Sequence, residues 1–247
     1  MLKIFKADLH IHTCLSPCAG LDMTPSAIVN AALTQGIDII AITDHNSAEN
    51  FAAAQKAAER TELTVLGGME VTSSEEAHIL AVFDSAENIM AMQKHVYDNM
   101  LPLVNDEKFY GDQIVVNEYD EVLDFNRRLL IGATVLNANQ IVDTVRALGG
   151  LAIASHIDRD FFSITSQLGF IPEDLHFDAL EISPLTGMKQ AREKFRQYSD
   201  CAWVSSSDAH RIEDIGKRKT LFTLESATVE EMKLACMNKE GRKVEWG

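Results

Sequence analysis

Short apolar runs alternate along the chain with longer stretches in which apolar residues recur every third or fourth position. Runs of this kind, bounded by polar residues, are typical of buried strands, and the longer periodic stretches are typical of helices. The predicted strands are residues 2–12, 37–42, 63–66, 78–83, 151–154, 179–182, 202–205 and 220–224. The predicted helices are residues 24–36, 47–60, 139–148, 188–198 and 229–238, with one more after Ser85.

Residues at the ends of the predicted helices support these assignments. Thr24 is placed to cap a helix with Pro25 at its first position, and Gly36 is placed to end it. Ser47 and Ser85 are predicted caps of the next two helices.

The repeated order of strand then helix predicts parallel strands covered by helices, as an open sheet or a closed barrel. One place departs from it: a turn at 72–77 leads straight into strand 78–83, and a hairpin there would bring His78 close to Glu70. Residues 101–136 lack a clear period. They form either a cap or lid over a site, or an irregular connection with a short helix near 118–127. No repeat or linker divides the chain, so a single domain over residues 1–247 is predicted.

Composition narrows the class of protein. The chain has 247 residues, of which 46% are hydrophobic, enough for one substantial core. A net charge of −15 argues against an extended nucleic-acid-binding surface, although a small phosphorylated substrate remains possible at a metal site. Four cysteines make no disulfide framework, and no apolar run suits a signal peptide or membrane span. A soluble cytoplasmic protein is expected, and its oligomeric state is left open.

The first strand ends in a pattern that suits metal binding. Because side chains alternate along a strand, Asp8, His10 and His12 are expected on one face, with Leu9 and Ile11 on the other. Two imidazoles spaced in this way can hold one divalent ion, and a nearby carboxylate can orient one of them.

Further metal-capable side chains lie at other strand edges and ends. Six of the eight histidines do so, and Glu70 and Asp208 accompany them at the same level. These histidines are His10, His12, His45, His78, His156 and His210. So many ligands exceed the needs of one tetrahedral ion, so a cluster of two or three ions is predicted.

These segments, in this order, resemble the motifs of the polymerase and histidinol phosphatase (PHP) family. They are residues 8–13, 43–45, Glu70, His78, 154–156 and 207–210. The resemblance implies an α/β fold, a distorted (β/α)7 TIM-like barrel with a metal cluster at the C-terminal ends of its strands. It also implies two or three divalent ions, usually Mn, Zn or Fe, and phosphoesterase activity on small molecules, nucleotides or oligonucleotide ends.

The resemblance also assigns ligands to the ions. His10, His12, Glu70 and Asp208 would hold the first ion. Glu70 would bridge to a second, held also by His78 and His156, while His45 and His210 would hold a third. The loop after His12 is longer here than is usual in the family, so that the last ligand is Cys18, Cys14 or Asp22. Its spacing from His12 favours Cys18, whose thiolate would suit Zn or Fe.

A mechanism follows as a hypothesis. A hydroxide bridging two ions attacks phosphorus in line, and His45, His210 or a metal-bound water protonates the leaving oxygen. Arg159 and Arg211 are predicted to bind the phosphate, since a guanidinium matches its oxygens. Two alternatives remain: an amidohydrolase-type hydrolase of C–N bonds, and a non-catalytic metal-binding regulatory module.

Overall fold

Nine strands form one curved sheet whose two edges nearly meet, in a computed structural model that describes residues 1–246. The strands of the chain are β1 Lys3–Ile11, β2 Ile39–Ile42, β3 Thr64–Thr72, β4 His78–Phe83, β5 Ile114–Val116, β6 Val122–Phe125, β7 Leu151–Ala154, β8 Ala179–Glu181, β9 Trp203–Val204, β10 Thr220–Leu224 and β11 Lys243–Trp246. The helices are α1 Pro25–Thr34, α2 Phe51–Ala58, α3 Ala86–Asp98, α4 Glu107–Tyr110, α5 Ala138–Ala147, α6 Ile164–Leu168, α7 Met188–Lys194 and α8 Val229–Cys236.

Seven strands of this sheet, in the order β1-β2-β3-β4-β7-β8-β9, form the barrel, and β10 and β11 extend it beyond β1. The barrel closes where the chain after β9 meets the end of β1. There the His12 amide donates to the Ala209 carbonyl at 3.0 Å, and the Ala209 amide donates to the His10 carbonyl at 3.2 Å. The predicted α/β fold, a distorted TIM-like barrel, is confirmed.

One barrel strand runs against the others, which explains where His78 lies. β3 and β4 pair as an antiparallel hairpin, as the turn at 72–77 predicts, and β4 is also antiparallel to β7. The start of β4 therefore lies at the edge where the parallel strands end. His78, its first residue, joins side chains that follow the carboxyl ends of those strands.

The barrel interior is polar at the end where the parallel strands finish and apolar toward the opposite end. Leu66, Leu80 and Ala179 pack inside it, and Glu70, His78 and Glu181 lie further along the same three strands at even spacing. An even spacing keeps a side chain on the same face of a strand. The polar residues therefore point into the barrel above the apolar core.

The face assignment along β1 is wrong at Asp8. Leu9 packs in the interior core, whereas Ile11 packs in the outer core between sheet and helices. The pairing of β1 with β2 shifts between Asp8 and Ile11, as at a β-bulge, and a bulge breaks the alternation of faces. The side chain of Asp8 therefore lies on the opposite face of β1 from the histidines. Its carboxylate accepts from the Ser207 and Gly216 amides, both at 2.9 Å.

Several element boundaries also differ from the prediction. Helix α2 begins at Phe51 after Asn50, and the Ser47 hydroxyl hydrogen-bonds to the Tyr97 hydroxyl at 2.7 Å instead of capping it. β3 continues through Gly67 and Gly68. A Cβ on Gly68 would lie 2.8 Å from the Thr43 side chain, so this close approach requires glycine. Helix α6 and strand β11 were not predicted.

Residues 101–136 contain α4 and the β5-β6 hairpin, so the expected short helix near 118–127 is wrong. The segment is tied to the loop that follows β1. The Ile114 amide donates to the Cys14 carbonyl at 2.9 Å, and the Asn50 side chain bonds the hairpin at Ile114 and Val116. The hairpin thus forms a wall beside that loop.

In the part of the chain that the structure describes, no helix has the length and apolar character needed to cross a membrane.

Candidate metal centre

Six histidines, one glutamate and one aspartate converge at the polar end of the barrel. All of them are buried except His210, which is half-buried. Each comes from a strand end or from the residues just beyond it, so the barrel itself brings them together. They are His10, His12, His45, Glu70, His78, His156, Asp208 and His210.

The first group is formed by His10, His12 and Asp208. The two Nε2 atoms lie 3.2 Å apart, and they lie 3.3 and 3.4 Å from the same oxygen, Oδ1 of Asp208. Atoms that share one ion at about 2.1 Å lie about 3.0–3.4 Å from each other. Glu70 approaches the two nitrogens at 3.4 and 3.5 Å. The spacing fits the ligands of a single ion.

Glu70 connects this group to a second one. Its Oε1 lies 2.9 Å from Nδ1 of His78 and 3.1 Å from Nε2 of His156. Its Oε2 lies 3.2 Å from Nδ1 of His45. One carboxylate therefore faces several imidazoles with both of its oxygens, as a bridging ligand must.

A third group consists of His12, His45 and His210, whose ligand atoms lie within 4.8 Å of one another. None of the three alternatives offered for the last ligand joins a close group in the part of the chain that the structure describes. Cys18 and Asp22 are exposed on the loop after β1. Cys14 is buried and turned toward the Ile114 carbonyl at 3.7 Å, so it faces the hairpin. Cys18 as a ligand stays a prediction.

Hydrogen bonds behind the ligands fix their orientation. Nδ1 of His10 lies 3.0 Å from Glu181, a buried carboxylate. Nδ1 of His12 lies 3.0 Å from the Ser16 hydroxyl, which itself donates to Asp44 at 2.7 Å. Because that hydroxyl gives its proton to Asp44, it accepts from His12. Nε2 of His12 is then left with a lone pair directed at the cluster.

Sequence reasoning missed these supporting residues. Glu181 is the one charged residue in an apolar strand, and that strand ends at the same edge as the histidines. This signal was available. Asp44 lies within the Thr43-Asp44-His45 motif, but its partner Ser16 is in an irregular loop that no pattern connects to it.

Charge and burial set the protonation of the cluster. Burial lowers the pKa of His12 to about 4, with a further contribution from His210, and burial together with His12 holds the pKa of His45 well below its usual value. Although burial opposes it, the Asp208 and Glu181 carboxylates hold the pKa of His10 well above its usual value. His12 and His45 are therefore neutral near pH 7, as metal ligands must be, whereas His10 would have to release a proton on binding an ion.

Glu70 is charged in the same surroundings. Burial opposes its ionisation, but His78 and His10 hold its pKa well below the usual value. Ions bound here would compensate this buried negative charge.

The donor set fits divalent metal ions. Imidazole nitrogens and carboxylate oxygens suit Zn, Fe and Mn. Nδ1 of His45 is buried and makes no hydrogen bond, although it lies 3.2 Å from Oε2 of Glu70, and a metal ion would give it a partner. Left-handed backbone at His156, with φ 27°, and at Asp208, with φ 51°, adds strain that is typical of functional sites.

The two predicted phosphate-binding arginines differ in position. The guanidinium of Arg159 forms an ion pair with Asp208 at 2.6 Å and is therefore at the cluster. Arg211 is exposed and makes no side-chain hydrogen bond or ion pair among residues 1–246. Of the two, Arg159 alone contacts a predicted ligand.

Glu181→Gln is expected to weaken metal binding about 10–100-fold, the usual effect of removing a carboxylate behind a histidine ligand. The amide can still accept from His10 but carries no charge to stabilise it. Metal titration of the stripped protein, with Glu62→Gln on the exposed surface as the matched control, measures the change. Equal affinity of both variants would contradict this role of Glu181.

The sequence matches the family described as PHP domain over residues 8–202. A search of curated proteins found no match.

Four solved structures with this fold are informative. The lesion-specific endonuclease Q from Pyrococcus furiosus has a TM-score of 0.74 at 17% identity, and a second endonuclease Q, bound to a 27-mer duplex with an abasic lesion at its active site, has 0.71 at 19%. Both alignments cover 98% of this chain but only 58% of the endonuclease chain. A candidate metal-dependent phosphoesterase from Bifidobacterium adolescentis has a TM-score of 0.58 at 20% identity. The alignment covers 94% of this chain and 95% of that protein. An amidohydrolase from Chromobacterium violaceum, solved with sulfate, has a TM-score of 0.58 at 20% identity. The alignment covers 85% of this chain and 89% of that protein. At such low identities these likenesses show the fold alone.

Proposed function

The chain belongs to the PHP domain family, and from that premise we propose that it is a metal-dependent hydrolase of phosphate esters. The observation that carries the proposal is the triangle of His10, His12 and Asp208, with Glu70 beside it. Its edges of 3.2–3.4 Å match the spacing of ligands around one ion. The full set of eight ligand residues also argues against a non-catalytic module.

Three ligand groups would hold two or three ions. His10, His12, Glu70 and Asp208 form the first group; Glu70, His78 and His156 form the second. His45 and His210, with His12, form the third. Divalent ions in such a site lower the pKa of water and neutralise phosphate oxygens. Whether they are Mn, Zn or Fe is a matter for metal analysis.

The protein's own groups have separate tasks in this proposal. Arg159 binds a phosphate oxygen, because its guanidinium already lies at the edge of the cluster against Asp208. When only the first two groups hold ions, His210 would be free to donate the proton to the leaving oxygen. It is half-buried and reaches solvent, whereas His45 is buried against Glu70. Arg211 would act only at the outer rim.

We infer that the substrate is a small phosphorylated molecule or a nucleotide. The net charge of −15 disfavours long contacts with a nucleic-acid backbone. Endonuclease Q does bind a duplex, but this chain spans only 58% of that protein. A short duplex with an abasic lesion therefore belongs among the compounds to be tested, and its cleavage would contradict the expectation of a small substrate.

Hydrolysis of a C–N bond is the second candidate, because an amidohydrolase shares the fold. Arg159 favours a phosphate ester, since a bidentate guanidinium matches the phosphate that is cleaved.

The test is turnover by purified protein loaded with Mn, Zn or Fe, against the same protein stripped by a chelator. Phosphate monoesters, diesters and amides form the panel. Metal-dependent release of phosphate or of a nucleotide, restored when the ion is returned, is expected. Two results would reject the proposal. One is hydrolysis of amides alone, and the other is no hydrolysis of any compound in the panel by protein with a full metal content.

A further inference from the structure

Two adjacent phenylalanines stand exposed beside the metal-ligand cluster. Phe161 is 74% exposed and Phe162 is 46% exposed, although both follow closely on the turn that carries Arg159. The ring of Phe162 stacks on the imidazole of His78, with centroids 4.8 Å apart and planes 15° apart. One face of the Phe162 ring is thus covered by a predicted ligand, and nearly half of the residue is open to solvent.

The backbone holds Phe162 in place at some cost. Its φ is 59°, in the left-handed region that a bulky side chain disfavours. The Phe162 carbonyl accepts from the His78 amide at 2.9 Å. The neighbouring Ser163 hydroxyl donates to the Arg159 carbonyl at 2.7 Å and also accepts from the Ser166 amide at the start of α6. The ring is therefore fixed at the rim before any ligand binds.

Core packing does not explain this conformation, because the strained residue is half exposed. A strained backbone and an exposed aromatic ring next to a reactive site are both expected where the ring contacts a ligand. The same turn places Arg159 at Asp208. If the phosphate binds to the cluster and to Arg159, the rest of the substrate would extend past Phe162.

We propose that Phe162 is a stacking platform for an aromatic ring of the substrate, so that the ester hydrolysed at the cluster carries a ring such as a nucleobase. This inference rests on the proposed function. Aromatic rings stack on one another in offset geometry, and a platform already fixed in place loses little entropy on binding. Phe162 then determines specificity through binding and takes no part in bond cleavage.

The competing explanation is that Phe162 only shields His78 from water. The two explanations differ in one measurable respect. A platform matters only for ligands that carry a ring, whereas a shield supports every ligand equally.

The test compares two hydrolysis-resistant ligands, the phosphonate analogues of AMP and of ribose 5-phosphate, which differ only in the base. Calorimetry measures their binding to the metal-loaded protein, to Phe162→Leu and to Phe162→Trp. The wild type is expected to bind the AMP analogue about tenfold or more tightly. Phe162→Leu should reduce that ratio to near one and leave binding of the ribose analogue unchanged, while Phe162→Trp should keep the ratio. Phe170→Leu, the same change at an exposed phenylalanine away from this turn, is the matched control.

Equal binding of the two analogues by the wild type overturns the proposal, as does failure of the AMP analogue to bind. An equal loss of both in Phe162→Leu overturns it in favour of shielding. Because neither analogue is hydrolysed, these results do not depend on turnover. Absence of phosphate-ester turnover would count against the proposed function, whereas the binding ratio decides the role of Phe162.

Discussion

Glu70→Gln is expected to remove metal binding and hydrolysis together, while the barrel stays folded. Both oxygens of Glu70 face imidazole nitrogens, at 2.9 and 3.1 Å for Oε1 and 3.2 Å for Oε2. A glutamine of the same size offers one oxygen only and places an NH2 group against the others. The charge that joins the ligand groups is also lost. Bound ions supply several kcal/mol to such reactions, so kcat/KM should fall about a thousandfold or more.

Metal content by mass spectrometry and turnover of the best ester from the panel measure the effect. Circular dichroism shows whether the fold is retained. Glu62→Gln makes the same chemical change at an exposed position and should leave both quantities as in the wild type. A Glu70→Gln protein with full metal content and wild-type turnover would remove Glu70 from the centre.

The convergence of the proposed ligands could be predicted because it depends on a coarse property of the fold. Parallel strands end at one edge of a barrel, so any residue that follows an apolar run is brought there. His10, His156 and Asp208 needed nothing more. His78 needed one further inference, the β3-β4 hairpin, which the short turn at 72–77 made visible.

The role of Asp8 could not be predicted in this way. Alternation placed it with the histidines, but the pairing of β1 with β2 shifts after it. A bulge is decided by the neighbouring strand and leaves no period in its own sequence. The β5-β6 hairpin escaped prediction for a related reason. It is held by contacts with residues far away in sequence, such as the Ser26 amide, which donates to Asp120 in the turn of the hairpin at 3.2 Å.

Asp8→Ala is expected to destabilise the fold by about 3 kcal/mol. Its carboxylate accepts from the buried amides of Ser207 and Gly216, and it joins β1 to the segments that close the barrel. Each buried amide left without a partner costs about 1–3 kcal/mol. Burial raises the pKa of Asp8 to about 6, even though these two amides lower it, so burying the charge itself offsets part of the gain.

Urea unfolding of the metal-free proteins isolates this effect from metal binding, and a fall in the midpoint at unchanged slope reports lost stability. Asp38→Ala is the matched control. That carboxylate also accepts from a backbone amide, that of Lys6 in β1 at 2.7 Å, but this hydrogen bond is exposed, so water can take its place. Because no buried amide is left without a partner, the control should lose only the net value of one hydrogen bond, about 0.5–1.5 kcal/mol. If both variants lose the same stability, the carboxylate of Asp8 does not close the barrel. In that case the contact between Ala209 and the end of β1 must do so alone.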